Sequence, residues 1–179
     1  LRAATRRRRG AGRRDELIAV ALKRPESQKA DPQSKPPDWL IPWFSKLNTF
    51  LYRRSGGRIL GSGGGMWQLL LTVTGRKSGK TQTVTLPYWF DDDGTLILVA
   101  SNAGQDHNPA WYHNVKDTSA NPTVAVQIRA THYTASATVL EGDERADVWA
   151  RLTDDRPNYG RYQDRTTRVI PLIRLTVHD

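Results

Sequence analysis

The chain has 179 residues, no cysteine and a formal net charge of +9. That length suits one domain with its own core, and the absence of thiols excludes both a disulfide framework and a thiolate metal site. The charge is unevenly placed, because residues 1–37 hold eleven Lys or Arg against four acids, so +7 sits there and only +2 belongs to the rest. A body built to grip nucleic acid is therefore not indicated.

The first segment combines the Arg6–Arg9 cluster with PESQKADPQSKPP and has no sustained apolar period, which reads as a disordered tail. Its one apolar run, DELIAVAL, is too short for a signal peptide or a membrane span. The expected organisation is a basic tail over 1–37 and one domain over 38–179. Anionic lipid or nucleic acid would be the partners of such a tail if the protein were a non-enzymatic binding protein.

From residue 38 the composition changes. In WLIPWFSKLNTFLYRR, Trp43, Phe44, Leu47, Phe50 and Leu51 recur at helical spacing and make one apolar face. Two readings follow: a helix docked on the domain, or a helix at a membrane surface with Arg53 and Arg54 at its end. The glycine-rich stretch 56–65 reads as a loop. It is not a dinucleotide fingerprint, because Met66 stands where the last glycine of G-x-G-x-x-G belongs and a strand follows the motif instead of preceding it.

The runs WQLLLTVT, TQTVTLPYWF, TLILVAS, TVAVQI, HYTASATVL and RVIPLIRLTV are rich in β-branched and aromatic residues and predict strands. Asp91–Gly94 predicts a tight turn between the second and third. Helices are predicted in NPAWYHNVKDTSANP, with Asn108 as N-cap and Pro109 first, and in GDERADVWARLTDD, with Asp143 as N-cap. Strands with hairpin-length links and few crossover helices predict a mainly β fold, an antiparallel barrel or sandwich with peripheral helices.

The stretch TVTGRKSGKT at 72–81 imitates a phosphate-binding P-loop. In the required spacing G-x-x-x-x-G-K-[ST] the first glycine falls on Thr74, and the residues after Thr81 alternate like a strand, not a helix. The stretch instead predicts a hairpin turn whose glycines, Gly75 and Gly79, permit positive φ and from which Arg76, Lys77 and Lys80 protrude with Ser78. VASNAG at 99–104 ends the next strand with small, backbone-exposing residues, and NPAWYHN at 108–114 opens a helix. His107 and His113 are six apart and His132 lies in a separate strand, so no metal site is expected. His113 is kept as a candidate proton donor.

Five segments in order, TVTGRKSGKT, LVASNAGQDHNPAWYHNVK, ANPTVAVQI, GDERADVWARL and PNYGRYQDRTTRVIPLIRL, resemble the deazaflavin-dependent nitroreductase family over about residues 38–179. That family consists of coenzyme F420-dependent oxidoreductases with the split β-barrel fold shared by flavin reductases and pyridoxamine-phosphate oxidases. The resemblance implies hydride transfer from reduced F420 to a quinone, nitroaromatic or activated enone. Arg76, Lys77, Ser78 and Lys80 would hold the cofactor's phosphate and anionic tail. Val84, Thr85, Leu86 and Pro87 would pass beside its ring, Ser101, Asn102, Ala103 and Gly104 would contact ring or linker, and Trp111 and Asn114 would shape the pocket. Tyr159 and Tyr162 match tyrosines on the substrate side, with Tyr162 as hydrogen-bond donor to the acceptor oxygen. The sequence departs from the family at Gln82 and Asn102, where relatives often carry Arg and Lys, and at Arg165, where some carry an aromatic residue. The same fold also binds flavin mononucleotide, the alternative cofactor. A cytoplasmic enzyme, monomer or homodimer, with 38–54 as a candidate contact to the inner face of a membrane, is the expected setting.

Overall fold

The computed structural model describes Thr49 and residues 52–55, 62–63 and 66–178. The predicted tail, most of the 38–54 helix and much of the glycine-rich loop lie outside the described residues. The described residues form seven strands: β1 (Ser62–Gly63), β2 (Met66–Thr74), β3 (Thr81–Phe90), β4 (Leu96–Val99), β5 (Val124–Ile128), β6 (Thr131–Val139) and β7 (Leu172–His178). Between them, among the described residues, stand the helices α1 (Ala110–Lys116), α2 (Gly142–Asp155) and α3 (Asn158–Gln163). The strand order β1-β2-β3-β4-β7-β6-β5 is antiparallel throughout, and an added β2–β5 pairing closes six of the strands into a barrel.

Closure explains the side-chain pattern. β4 is a continuous buried run, because Leu96 and Leu98 face the barrel interior while Ile97 and Val99 face a second apolar cluster outside it. The interior holds Leu69, Leu71, Val73, Tyr88, Phe90, Val126 and Ile173 among others, and Trp111, Tyr112 and Val115 of α1 join the same cluster. The outer cluster packs Val148 and Leu152 of α2 and Tyr159 of α3 against Met66, Trp89, Ile97 and Leu172.

Three small differences from the sequence reading are local. Pro109, not Asn108, is the N-cap of α1, and Asn108 uses its side chain elsewhere, accepting from the Arg168 guanidinium at 2.7 Å. α2 begins at Gly142 with Glu141 as N-cap, which puts Asp143 in the first turn, where its charge still favours the helix dipole. The loop expected over 56–65 contains the two-residue strand β1, paired with Met66 and Trp67.

The helical residues 52–55 are docked on the barrel. Tyr52 is wholly buried; its hydroxyl donates to the Gln68 carbonyl at 2.8 Å and accepts from the Arg129 amide at 2.9 Å. Among the described residues no helix is long and apolar enough to cross a membrane.

Candidate cofactor and substrate site

The site begins where the barrel opens. β3 pairs with β2 along Thr81–Pro87, but with β4 only through Tyr88, Trp89 and Phe90. One further step of that register would set Pro87 against Val99. Proline has no N–H for a ladder and is tolerated where one side is free. After Val99 the chain turns away, and the Ala100 amide donates to the Pro171 carbonyl instead. Among the described residues, the β3 edge from Thr81 to Pro87 therefore has a strand partner on one side only. Val84 and Leu86 point toward the barrel core. Thr83 and Thr85 face the helical segment, where their hydroxyls meet the Arg53 guanidinium at 3.1 Å and the Thr49 hydroxyl at 3.2 Å.

The basic turn stands at the start of that edge. Arg76, Lys77, Ser78 and Lys80 are all exposed, and among the described residues none of the three cations has an ion-pair partner. The turn is closed by Gly75–Lys80 and Gly79–Gly75 backbone bonds of 2.9 and 2.7 Å. Gly79 has the expected positive φ of 65°; Gly75 does not. Gly75 is needed for space, since a Cβ there would lie 2.6 Å from Ser78 Oγ and 2.9 Å from Gln82 Nε2.

Asn114 fixes the turn from α1. Its Oδ1 accepts from the Arg76 amide at 3.2 Å and its Nδ2 donates to Gln82 Oε1 at 3.3 Å. Gln82 thus serves the turn as a hydrogen-bonding strut. Behind Asn114 lies Asn121, buried, which accepts from the Thr74 amide at 2.7 Å and donates to the Thr74 and Asn114 carbonyls, each at 2.9 Å. Sequence reasoning missed Asn121; the only available signal was its place before Pro122 at the end of the helical stretch.

Residues 101–104 form the next wall as a tight 3₁₀ turn, Asn102–Gly104. Asn102, Ala103 and Gly104 all take left-handed φ, 46°, 54° and 78°. The Asn102 side chain is spent locally, donating to Gln105 Oε1 at 2.8 Å and the His107 carbonyl at 3.1 Å. A Cβ on Gly104 would fall 2.6 Å from the Tyr162 carbonyl, so this turn lies directly against the end of α3.

On α3 the two tyrosines stack edge to face at 5.9 Å but occupy different surroundings. Tyr159 is 3% exposed, its hydroxyl donates to Met66 Sδ at 3.3 Å, and burial pushes its phenol well above the ordinary range. It supports its neighbour from within the outer core. Tyr162 is half-buried, with the Arg165 guanidinium 5.6 Å from its ring centre. Trp111 belongs to the barrel core. His107 and His113 are exposed, and no cluster of metal-ligating side chains occurs among the described residues.

The sequence model of the F420H(2)-dependent quinone reductases matches residues 43–177, three quarters of the chain. The chain belongs to that family. Membership makes it an oxidoreductase with coenzyme F420 as its cofactor. An F420H(2)-dependent quinone reductase of Mycobacterium tuberculosis is 36% identical over 135 residues, spanning 73% of this chain and 88% of the relative. A solved F420-H2 dependent reductase, FDR-A, is 39% identical with a TM-score of 0.52, covering 61% of this chain and 93% of its own. A second solved structure, described as a domain-swapped dimer, is 32% identical with a TM-score of 0.52, covering 76% and 98%. The split barrel expected from the sequence is thus the fold of solved relatives.

Proposed function

We propose that this family member reduces quinones, with the cofactor lying along the open edge of β3. The observation that carries this reading is the conjunction of that one-sided edge with a turn at its start whose three cations have no ion-pair partner among the described residues. An anionic cofactor with a flat ring needs both: backbone N–H and C=O groups for the ring, and fixed positive charge for phosphate and carboxylates. The residues fit the group on this ground, and Gly75 leaves room for Ser78 and Gln82 to pack inside the turn that carries the cations.

Arg76, Lys77 and Lys80, with Ser78, hold the anionic tail. The backbone of Val84, Thr85, Leu86 and Pro87 runs beside the ring; Thr85 contributes main chain only, because its hydroxyl is engaged by Thr49. Asn114 acts through the turn, with both ends of its amide already used. Ser101–Gly104 and Tyr162 border the acceptor. Bound F420 in its reduced form supplies the hydride. The Tyr162 hydroxyl donates a hydrogen bond to the acceptor oxygen on which negative charge develops, so the stabilisation grows toward the transition state. Tyr159 and the Arg165 cation fix the plane of that ring from its edge and its face.

A quinone accepts hydride and a proton and leaves as the hydroquinone, while nitroaromatics and enones offer the same pattern of an oxygen gaining charge. Anaerobic mixing of the protein with reduced F420 and a naphthoquinone, a nitroimidazole or cyclohexenone ranks the three classes by the return of F420 absorbance. Turnover highest with the quinone supports the assignment; no turnover with it sinks the assignment. Titration with flavin mononucleotide in parallel tests the alternative cofactor. Sedimentation of the full chain separates a monomer from the homodimer that one solved relative forms.

A further inference from the structure

We propose that Arg168 is a positioning residue for this reaction, fixing the turn 101–104 against Tyr162 by gripping oxygens at both ends of the segment 100–108. Its guanidinium makes four hydrogen bonds: Nη2 to the Ala100 and Ser101 carbonyls at 3.2 and 2.7 Å, Nε to the Gln105 carbonyl at 2.8 Å, and Nη1 to Asn108 Oδ1 at 2.7 Å. Among the described residues no carboxylate pairs with it. The half-buried charge is therefore satisfied by oxygen dipoles of one loop, which makes the loop's shape and the cation's place interdependent.

The loop needs such a grip. Asn102 and Ala103 are left-handed without being glycine, a conformation that persists only when the surroundings impose it. Gly104 leaves no slack, since even a Cβ would strike the Tyr162 backbone. The Arg168 end of the brace is itself anchored to α3: Gln163 Nε2 donates to the Arg168 carbonyl at 2.7 Å, and Gln163 Oε1 accepts from the Ile170 amide at 3.0 Å. One continuous set of hydrogen bonds thus links α3, Arg168 and the turn. A planar fork is required for it, because the acceptors lie in several directions around the guanidinium and an ammonium offers its donors from a single point.

The effect on catalysis rests on the reading that Ser101–Gly104 and Tyr162 border the acceptor. Arg168→Gln and Arg168→Lys are compared with Arg151→Gln, which removes a similarly bonded arginine from the Asp91 pair in another part of the molecule. Hydrogen exchange of the cofactor-free protein, at a temperature where all variants are folded, is followed peptide by peptide. Both Arg168 variants are expected to exchange faster in 100–108 than wild type, with Arg151→Gln unchanged there. With F420 and menadione, both are expected to lose about tenfold to a hundredfold in kcat, as a small misplacement near the chemistry does, while F420 dissociation constants move less. Unchanged exchange in 100–108, or full recovery of kcat by Arg168→Lys, overturns the proposal. If wild type binds no F420 and reduces no quinone while the exchange difference persists, the functional reading falls and the structural brace stands without a catalytic role.

Discussion

Replacing Asn121 by alanine tests how the cationic turn is built. The side chain is 5% exposed and makes three hydrogen bonds, to both backbone groups of Thr74 and to the Asn114 carbonyl. Each contributes about 1 kcal/mol net when lost inside a folded protein, so the expected loss is about 3 kcal/mol. For a domain of this size each kcal/mol shifts the melting midpoint by about 3 °C, which places the variant about 9 °C below wild type. The assay is thermal unfolding by circular dichroism, paired with F420 titration at a temperature where the variant is folded. Because Thr74 leads into Gly75 and Asn114 accepts from the Arg76 amide, cofactor affinity is expected to weaken as well. A midpoint within about 2 °C of wild type, well short of what three lost bonds imply, would refute the reasoning about this clasp.

Four other substitutions separate binding, chemistry and folding. Lys77→Ala is expected to raise the F420 dissociation constant by about tenfold while kcat at saturating cofactor stays within about twofold, since the contact is remote from the hydride; fluorescence titration and steady-state rates check it. Tyr162→Phe should lower kcat by about tenfold or more with little change in F420 affinity, whereas Tyr159→Phe, which loses only a sulfur contact, should retain most of its activity. The Asp91 carboxyl is held below its ordinary value first by hydrogen bonds from Arg151, so its contribution to stability is present above the unfolded carboxylate value and is lost as pH falls through the lower folded one. Melts of Asp91→Asn and wild type should differ clearly at about pH 7 and converge toward about pH 2.

The parts of the molecule legible in the sequence are those set by local chemistry. β3 occupies the whole of TQTVTLPYWF, and the turn after it closes with the Gly94 amide donating to the Asp91 carbonyl. The basic turn was legible because alternation after Thr81 excluded a P-loop helix. What joins distant segments was not legible. The β2–β5 contact that closes the barrel has no local mark in either strand. Arg168 lies more than sixty positions from the carbonyls it grips, and Asn121 is 47 from Thr74. Tyr159 and Tyr162 share a helix face by spacing, but only the packing of Met66 and Leu152 around α3 decides which of them is sealed in. The sequence suggests an unusual φ at Gly75, whereas the crowding that requires glycine there comes from Ser78 and Gln82 folding back over the turn.

The central claim is that the F420 ring and tail lie along the free edge of β3 and the turn beside it. Hydrogen exchange of the full chain with and without saturating F420 tests this most directly. The account predicts slowed exchange in 76–80, 81–87 and 101–104, with the outer cluster around α2 unaffected. Tight F420 binding that leaves 81–87 unprotected would contradict it.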